Sequence, residues 1–472
     1  MKNKIYTLIA ICFLLGTLLT GVSFAAEGDI PVELTYASAN GGVALGTGFY
    51  RGADLWISEN AVKRMNVPLY VSSNNRNFII NVNQPAEALK IPALARLAGS
   101  NLSLIFPLLK ENGENYFNIS NNLSPVTKVT FIRENGKIKF SQYSPTAYYA
   151  NENYKPINQY GRVTLIWDHV TKTNKDLSKH YEMSGVNVIS PTWFNLSDGN
   201  GSVANRASMS YVEAAHAKGY SVWAIFSNGF SKVNTTFLFR NPLATNLYIA
   251  RVLAYAKLYN LDGINIDFEN VDVNDRNNFV SFIALLSDYT RPMGLKLSVD
   301  VHVPSNSNIS RSHDRGSLSK YVDYVMLMAY DEHWRTCPRS GSVASMPWVE
   351  KAVQNTLRDG VPASKLVLGV PFYMRLWEET RLMNGKVAVK AQTLTMAESD
   401  AKISKLGLNP IWDDRSGQYF YSYNQYGKTY KVWVENKKSL EIKATLIDKY
   451  SLAGIAGWRL GHNTPYIFPL VR

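Results

Sequence analysis

Cysteine is almost absent from this chain: Cys12 and Cys337 are the only two among 472 residues. So small a number excludes a disulfide-stapled scaffold, and stability must come from a hydrophobic core. Hydrophobic residues make up 46% of the sequence and aromatic residues 12%, which is ample material for a large core. The length exceeds that of one ordinary domain, so we expect two domains.

No hydrophobic run is long enough to span a bilayer, which takes roughly 20 residues. The longest run, residues 5–19, follows Lys2 and Lys4 and precedes the small residues Ala25 and Ala26. This order is typical of a secretory signal peptide. We therefore predict that residues 1–26 are a signal, cleaved near Ala25 or Ala26, and that the protein is secreted or associated with the cell wall. An uncleaved membrane anchor is the alternative.

Acidic residues are outnumbered by basic ones, 37 to 50, and the formal charge is +13. Such a charge favours anionic partners, and for an exported protein these include cell-wall polymers. Neither a basic helix nor zinc-finger spacing supports nucleic-acid binding. We expect electrostatic association with a cell wall, or a solvated basic surface without a partner, and a monomer.

Histidine is missing before His169, and residues 27–145 also lack a strand-helix rhythm. Short alternating runs separated by Asn-rich turns predict a small α+β or mostly β module there. Residues 53–57 and 74–78 resemble the copper amine oxidase N-terminal-like module of bacterial surface proteins. Without histidine or cysteine the module offers no copper site. A spacing or wall-binding role follows, or simply a stalk, and residues 146–160 are the predicted linker.

From residue 161 onward, short apolar runs alternate with helix-length segments, a pattern typical of parallel strands joined by helices. No Gly-x-Gly-x-x-Gly turn follows the first run, which argues against an open nucleotide-binding sheet. We predict a (β/α)8 TIM barrel over residues 161–472, with an α+β insertion at 374–437 between the seventh and eighth strands. The predicted strands are 163–167, 186–192, 221–226, 263–268, 295–301, 324–329, 366–371 and 454–458.

The fourth of these strands carries the chemistry. Alternation along a strand places Asn265, Asp267 and Glu269 on one face and apolar residues on the other. In a barrel the polar face points inward, and the last residue lies at the catalytic mouth. Glu269 is therefore expected at that mouth.

The sequence Asp262-Gly263-x-x-x-Asp267-x-Glu269 resembles the Asp-Gly-x-Asp-x-Asp-x-Glu signature of family 18 glycoside hydrolases, the chitinases and related β-N-acetylglucosaminidases. The resemblance extends over roughly residues 160–472. Segments 265–271 and 330–334 are similar to the spore germination branch, which hydrolyses peptidoglycan after N-acetylglucosamine. Further matching segments are Ser298-Val299-Asp300, Met328-Ala329-Tyr330-Asp331, Pro371-Phe372-Tyr373 and Gly457-Trp458-Arg459.

The resemblance implies substrate-assisted retaining catalysis. We expect no cofactor, and no metal because the histidines His302, His313, His333 and His462 are scattered without metal-ligand spacing. Glu269 would be the general acid, Asp267 would hold the 2-acetamido N–H, and Tyr330 would bind the acetamido oxygen. Trp458 would stack under the sugar ring. Tyr373 and Asp331 are carried over as further substrate-binding residues, and Asn265 is predicted to belong to the same set.

Asn265 departs from the signature, which has an aspartate there. A neutral amide cannot repel the Asp267 carboxylate and can donate a hydrogen bond to it, so we expect Asp267 to stay ionised to lower pH than in aspartate-bearing members. The overall prediction is a peptidoglycan hydrolase. Alternatives are a chitinase or chito-oligosaccharide hydrolase, and a non-catalytic glycan-binding protein.

Overall fold

The structure is a computed structural model, and it describes residues 29–38, 41–52, 54–65, 70–71, 77–98, 101–119, 129–134, 136–142, 156 and 161–470. The predicted signal peptide and all but Pro156 of the predicted linker lie outside these residues. Described residues up to 80 and from 106 to 142 form one compact unit, and residues 81–105 and from 156 onward form a second. No helix in the described part of the chain is long and apolar enough to cross a membrane.

The amino-terminal part of the described chain is a nine-stranded sheet with three short helices. Alternate side chains along one of its strands, Asn77–Asn83, are buried, as expected for a strand with one face on a core. The strand order is β4-β5-β6-β7-β3-β2-β1-β9-β8. The strands are β1 Ile30–Ser38, β2 Gly41–Arg51, β3 Asp54–Ser58, β4 Tyr70–Val71, β5 Asn77–Asn83, β6 Asn101–Glu111, β7 Glu114–Asn118, β8 Val129–Glu134 and β9 Lys137–Gln142, and the helices are α1 Glu59–Arg64, α2 Pro85–Ala88 and α3 Ala93–Ala98.

Eight parallel strands form the predicted barrel. They are β10 Val163–Asp168, β11 Val188–Pro191, β14 Ser221–Ser227, β15 Gly263–Asp267, β16 Lys296–His302, β17 Tyr324–Met328, β18 Leu366–Pro371 and β24 Gly454–Trp458. The sheet closes because β11 pairs with β14 as well as with β10, while β24 joins β10 to β18. The TIM-barrel prediction is confirmed. A short hairpin, β12 Phe194–Leu196 and β13 Val203–Asn205, follows β11.

Helices follow the barrel strands along the chain. They are α4 Met209–Ala217, α5 Lys232–Arg240, α6 Pro242–Leu258, α7 Arg276–Thr290, α8 Asn308–Arg311, α9 Arg315–Leu318, α10 Met346–Arg358 and α12 Lys437–Tyr450. The strands they cover are buried on both faces, which explains why the runs read as continuous apolar segments.

The predicted insertion between the seventh and eighth strands is also present. Its strands form a separate antiparallel sheet in the order β20-β19-β23-β22-β21. It contains β19 Tyr373–Arg381, β20 Val387–Thr395, α11 Met396–Leu406, β21 Ile411–Asp413, β22 Gln418–Gln425 and β23 Lys428–Val434. Because β19 begins two residues after β18 ends, the insertion grows directly from the mouth of the barrel.

The start of the fourth barrel strand shows why its first two signature residues are needed. A Cβ at Gly263 would lie 2.6 Å from the Trp223 ring, so only glycine fits. The buried carboxylate of Asp262 accepts a hydrogen bond from the backbone N–H of Val222 at 2.7 Å and lies 2.7 Å from Nε2 of His216. These two residues hold the start of β15 in the barrel, and the predicted catalytic residues lie at its other end.

Candidate active site

The predicted site residues gather at the carboxyl ends of the barrel strands. Asp267 ends β15 and Glu269 follows it; Tyr330 and Asp331 follow β17. Tyr373 begins the insertion after β18, and its ring centroid is 6.3 Å from that of Tyr330. The fourth, sixth and seventh strands therefore contribute to one cluster.

Trp458 lies on another part of the rim, at the end of β24. Its ring centroid is 6.1 Å from that of Trp167 and 6.2 Å from that of His169. Because β24 is the eighth strand, the indole is on the wall across the barrel from Glu269. A sugar between them would have an apolar platform on one side and carboxyl groups on the other.

Asn265 lies one step deeper, fully buried in the barrel. Its Oδ1 accepts hydrogen bonds from Trp167 Nε1 at 2.9 Å and Ser190 Oγ at 3.3 Å, and its Nδ2 donates to Asp300 Oδ1 at 2.7 Å. The expectation that this amide donates to Asp267 is wrong. Asp300 takes this donor, and it lies on β16, the strand that pairs with β15.

Burial controls the charge of these carboxyl groups. It raises the pKa of Asp267 well above its usual range, and the nearby Asp300 carboxyl adds to this effect. The pKa of Asp300 is likewise raised by burial and by Glu269, while its bond from Asn265 acts in the opposite direction. Protonation thus relieves like-charge repulsion between buried acids. Whether Asp267 stays ionised to lower pH than in aspartate-bearing members stays a prediction, which the Asn265→Asp variant tests.

Glu269 has the protonation state that a general acid requires. Burial, and then the Asp267 and Asp331 carboxyls, raise its pKa to about 8. The carboxyl is protonated in neutral solution and can give up a proton when a leaving group needs one.

The backbone of Glu269 is clamped by Asn228, which follows the third barrel strand. Asn228 Nδ2 donates to the Glu269 carbonyl at 2.6 Å, and Asn228 Oδ1 accepts from the Glu269 N–H at 3.2 Å. Asn228 is fully buried and also donates to Thr235 Oγ1 at 2.9 Å. This reciprocal pair fixes the position from which the Glu269 side chain extends.

Asp267 leaves an acceptor open. Its Oδ1 is buried and has no hydrogen-bond partner among the described residues. A buried polar atom without a partner costs free energy, and such atoms in native structures commonly await a ligand. The acceptor suits an N–H donor on a substrate.

His302, at the end of β16, lies next to the carboxyl group of Glu269. Its Nε2 lies 3.2 Å from Glu269 Oε2, without hydrogen-bond alignment. Burial and the Arg315 charge lower the pKa of His302 to about 4, so the imidazole is neutral beside a protonated carboxyl. Arg315 Nε donates to the His302 carbonyl at 2.8 Å, and the His313 ring packs 5.2 Å from the His302 ring.

Asp331 is held at the opening by two donors. Tyr373 Oη donates to Asp331 Oδ1 at 2.7 Å, and Arg375 Nη2 donates to the same oxygen at 2.8 Å. The Arg375 guanidinium lies 4.9 Å from the Tyr373 ring centroid and also donates to Thr393 of the insertion. The insertion therefore supplies the group that orients Asp331.

Sequence reasoning assigned no site role to Asn228, Asp300, His302 or Arg375. Two of them were accessible to it: Ser298, Asp300 and His302 alternate along the fifth strand just as the acidic residues do on the fourth, so they share its inward face. Asn228 and Arg375 carry no such pattern. No group of three His, Cys, Asp or Glu side chains in the described residues is arranged to hold a metal ion.

Comparison with known proteins finds a family model for this barrel. The model of "Glycosyl hydrolases family 18" matches residues 219–463, more than half of the chain. That segment contains the third to eighth barrel strands, the insertion and every predicted site residue.

Two curated relatives come from Bacillus. The glycosylase YvbX of Bacillus subtilis (strain 168) is 27% identical over 315 residues, covering 64% of this chain and 88% of the relative. The cortical fragment-lytic enzyme of Bacillus anthracis is 26% identical over 248 residues, covering 51% of this chain and 56% of that enzyme. The match thus spans little more than half of the lytic enzyme.

A solved chitinase is also similar. The structure of chitinase from Chromobacterium violaceum ATCC 12472 is 25% identical and superposes with a TM-score of 0.59, covering 66% of this chain and 98% of that chain. Sequence similarity therefore extends to relatives named for cortical fragments and to relatives named for chitin.

Proposed function

Because the chain belongs to family 18 of the glycosyl hydrolases, we propose that it is a secreted enzyme that cleaves β-1,4 bonds after N-acetylglucosamine in peptidoglycan. The observation that carries the proposal is the pairing of a protonated Glu269 with an open acceptor on Asp267, two residues apart on the inward face of one strand. Glu269 would donate a proton, and Asp267 would accept a hydrogen bond from the substrate's amide N–H.

The reaction follows from these two groups. Glu269 protonates the glycosidic oxygen while the substrate's 2-acetamido carbonyl oxygen attacks the anomeric carbon, and the bond to the leaving sugar breaks. The product is an oxazolinium ion on the retained sugar. Water, deprotonated by the Glu269 carboxylate, then adds to the anomeric carbon and regenerates both the acetamido group and the acid, with retention.

Asp267 acts on the nucleophile rather than on the leaving group. Its Oδ1 accepts the acetamido N–H, which orients the carbonyl oxygen toward the anomeric carbon and stabilises the positive charge that develops. Burial, and then the nearby Tyr373 phenol, raise the pKa of Tyr330 well above its usual value. Tyr330 therefore keeps its hydroxyl proton and can donate it to the acetamido oxygen. Trp458 provides the apolar platform for the sugar ring.

The substrate assignment rests on three supports: the predicted export signal, the net positive charge and the similarity to the cortical fragment-lytic enzyme. A chitinase is the second candidate, favoured by the similarity to the Chromobacterium enzyme, because chitin presents the same acetamido group to Asp267 and Tyr330. A glycan-binding protein without activity is the third, and a protonated Glu269 argues against it.

One experiment separates the three. The purified protein is incubated with peptidoglycan and with chitin, and mass spectrometry identifies the sugar at each new reducing end. We expect reducing N-acetylglucosamine from peptidoglycan. Products from chitin alone would support the chitinase, and no products from either substrate, with retained binding, would support the glycan-binding protein.

A further inference from the structure

The mouth of the barrel is electrically divided. The carboxyl groups of Asp267, Glu269, Asp300 and Asp331 lie near the carboxyl ends of the fourth, fifth and sixth strands. Cationic side chains lie on the opposite part of the rim: Lys175 after the first strand, Arg206 after the second and Arg459 after the eighth. We call these three residues the cationic rim.

The cationic rim is one connected group beside Trp458. Arg459 directly follows Trp458 along the chain, and Lys175 pairs with Asp168, the residue before His169. Burial and then the Arg459 charge lower the pKa of His169; Asp168 acts in the opposite direction, and Lys175 and Arg206 lower this pKa further. His169 in turn packs 6.2 Å from Trp458. The Arg206 carbonyl accepts from Asn174 Nδ2 at 2.8 Å, which places Arg206 beside the segment that carries Lys175.

In the described part of the chain, one carboxylate, that of Asp168, forms an ion pair with the cationic rim. Asp168 is buried, pairs with Lys175 and accepts a hydrogen bond from Tyr211 Oη at 2.8 Å. Within the described residues, neither Arg206 nor Arg459 has an ion-pair partner, although both are partly buried. Partly buried guanidinium groups without an anion are ready to form charge-assisted bonds to one.

The direction of the reaction shows what such an anion would be. Glu269 protonates the leaving oxygen, so the leaving sugar departs on the acidic side. In the proposed reaction the retained N-acetylglucosamine stacks on Trp458, so we expect the sugar preceding it on the side away from the leaving sugar, toward the first, second and eighth strands. In a strand alternating with muramic acid, that preceding sugar is muramic acid, which carries a lactyl arm with a carboxyl group. In chitin it is neutral.

We propose that Arg459 and Arg206 bind a carboxylate on the lactyl arm of the muramic acid that precedes the retained N-acetylglucosamine. This inference rests on the proposed function, because only cleavage after N-acetylglucosamine puts muramic acid at that place. Two sources supply the same chemistry: the free lactyl carboxylate of a strand without peptides, and the carboxylates of an attached stem peptide.

The test compares kcat/KM on four substrates. They are glycan strands with stem peptides, strands freed of peptides by an amidase, the freed strands with their carboxylates converted to neutral amides, and chito-oligosaccharides. The variants are Arg459→Gln, Arg206→Gln and the charge-conserving Arg459→Lys. Arg291→Gln is the control, because Arg291 is exposed and precedes the amino-terminal end of β16, on the face opposite the mouth.

We expect Arg459→Gln and Arg206→Gln to lower the ratio of kcat/KM on carboxylate-bearing strands to kcat/KM on amidated strands by about tenfold, as for loss of a charge-assisted bond. Arg459→Lys should restore part of the ratio, and Arg291→Gln should leave it unchanged. A fall confined to freed strands identifies the lactyl carboxylate, and a fall confined to peptide-bearing strands identifies the stem peptide.

Two results would overturn the inference in different ways. Suppose that wild type cleaves muramic strands but neither arginine substitution changes the ratio of kcat/KM on carboxylate-bearing strands to kcat/KM on amidated strands. The cationic rim then does not bind the carboxylate, and the proposed function is unaffected. If wild type cleaves chito-oligosaccharides and none of the muramic strands, the proposed function is wrong and the inference falls with it.

Discussion

Nε2 of His302 lies 3.2 Å from Oε2 of Glu269, and this nitrogen has no aligned hydrogen-bond partner among the described residues. The imidazole is neutral above about pH 4, and the carboxyl is protonated below about pH 8. Over that interval a small rotation lets the acid donate to the imidazole. We therefore regard His302 as a positioning residue for the general acid.

His302→Ala should move the basic limb of the pH–rate profile to lower pH. Removing the imidazole takes away an acceptor for the protonated carboxyl and admits water, and both changes favour the ionised form of Glu269. The measurement is kcat/KM between pH 5 and 10, with His180→Ala, at a partly exposed histidine, as the control. An unchanged basic limb in His302→Ala would show that the contact does not tune the acid.

Glu269→Gln should lower turnover by roughly 10² to 10⁴, because it removes the proton donor while keeping the size of the side chain. Chito-oligosaccharide hydrolysis gives the rate, and binding of the same ligand by the variant shows that the site is intact. Retained activity would mean that the general acid is another group.

The same variant reports on the pKa of Glu269 without any substrate. A carboxyl whose pKa is raised on folding favours the folded state when protonated, and this advantage disappears as pH rises from its unfolded value near 4.3 to about 8. Glutamine does not ionise. Glu269→Gln should therefore raise Tm relative to wild type more at pH 8.5 than at pH 5, and an equal effect at both would contradict the raised pKa.

Asn265→Asp should move the acidic limb of the pH–rate profile to higher pH. The new carboxyl would replace the amide that donates to Asp300 at 2.7 Å, and two carboxyls at that distance share a proton. The added charge also raises the pKa of the neighbouring Asp267. Asn384→Asp, an exposed turn position in the insertion, is the matched control. Superimposable acidic limbs for wild type and Asn265→Asp would refute this reasoning.

Lys443→Met should destabilise the barrel by about 3–5 kcal/mol, as for removal of one partner from a buried ion pair. Lys443 Nζ lies 3.0 Å from both oxygens of Glu435, and neither side chain is exposed. Urea unfolding measures the loss. Adding Glu435→Gln should recover part of it, because that change removes the buried charge left behind; no recovery would point to packing rather than charge.

The barrel, and the strand that carries the catalytic carboxyl groups, could be predicted from the sequence. Continuous apolar runs indicate parallel strands that are buried on both faces, and this pattern can be read without knowing which strands pair. The alternation of side chains along residues 265–269 predicts which of them point inward. The insertion was predictable because about eighty residues separate the last two strands. These features depend on local periodicity and length, which the sequence states directly.

The partners of those side chains were decided by tertiary structure. Nothing in the order of residues says that Asn265 donates to Asp300 rather than Asp267, that Asn228 clamps Glu269 or that Arg375 orients Asp331, since each pair is separated by dozens of residues and meets only when the barrel closes. The raised pKa of Glu269 likewise requires burial, which no sequence pattern measures. The sequence determined which groups face the cavity, and closure of the barrel decided which group each one meets.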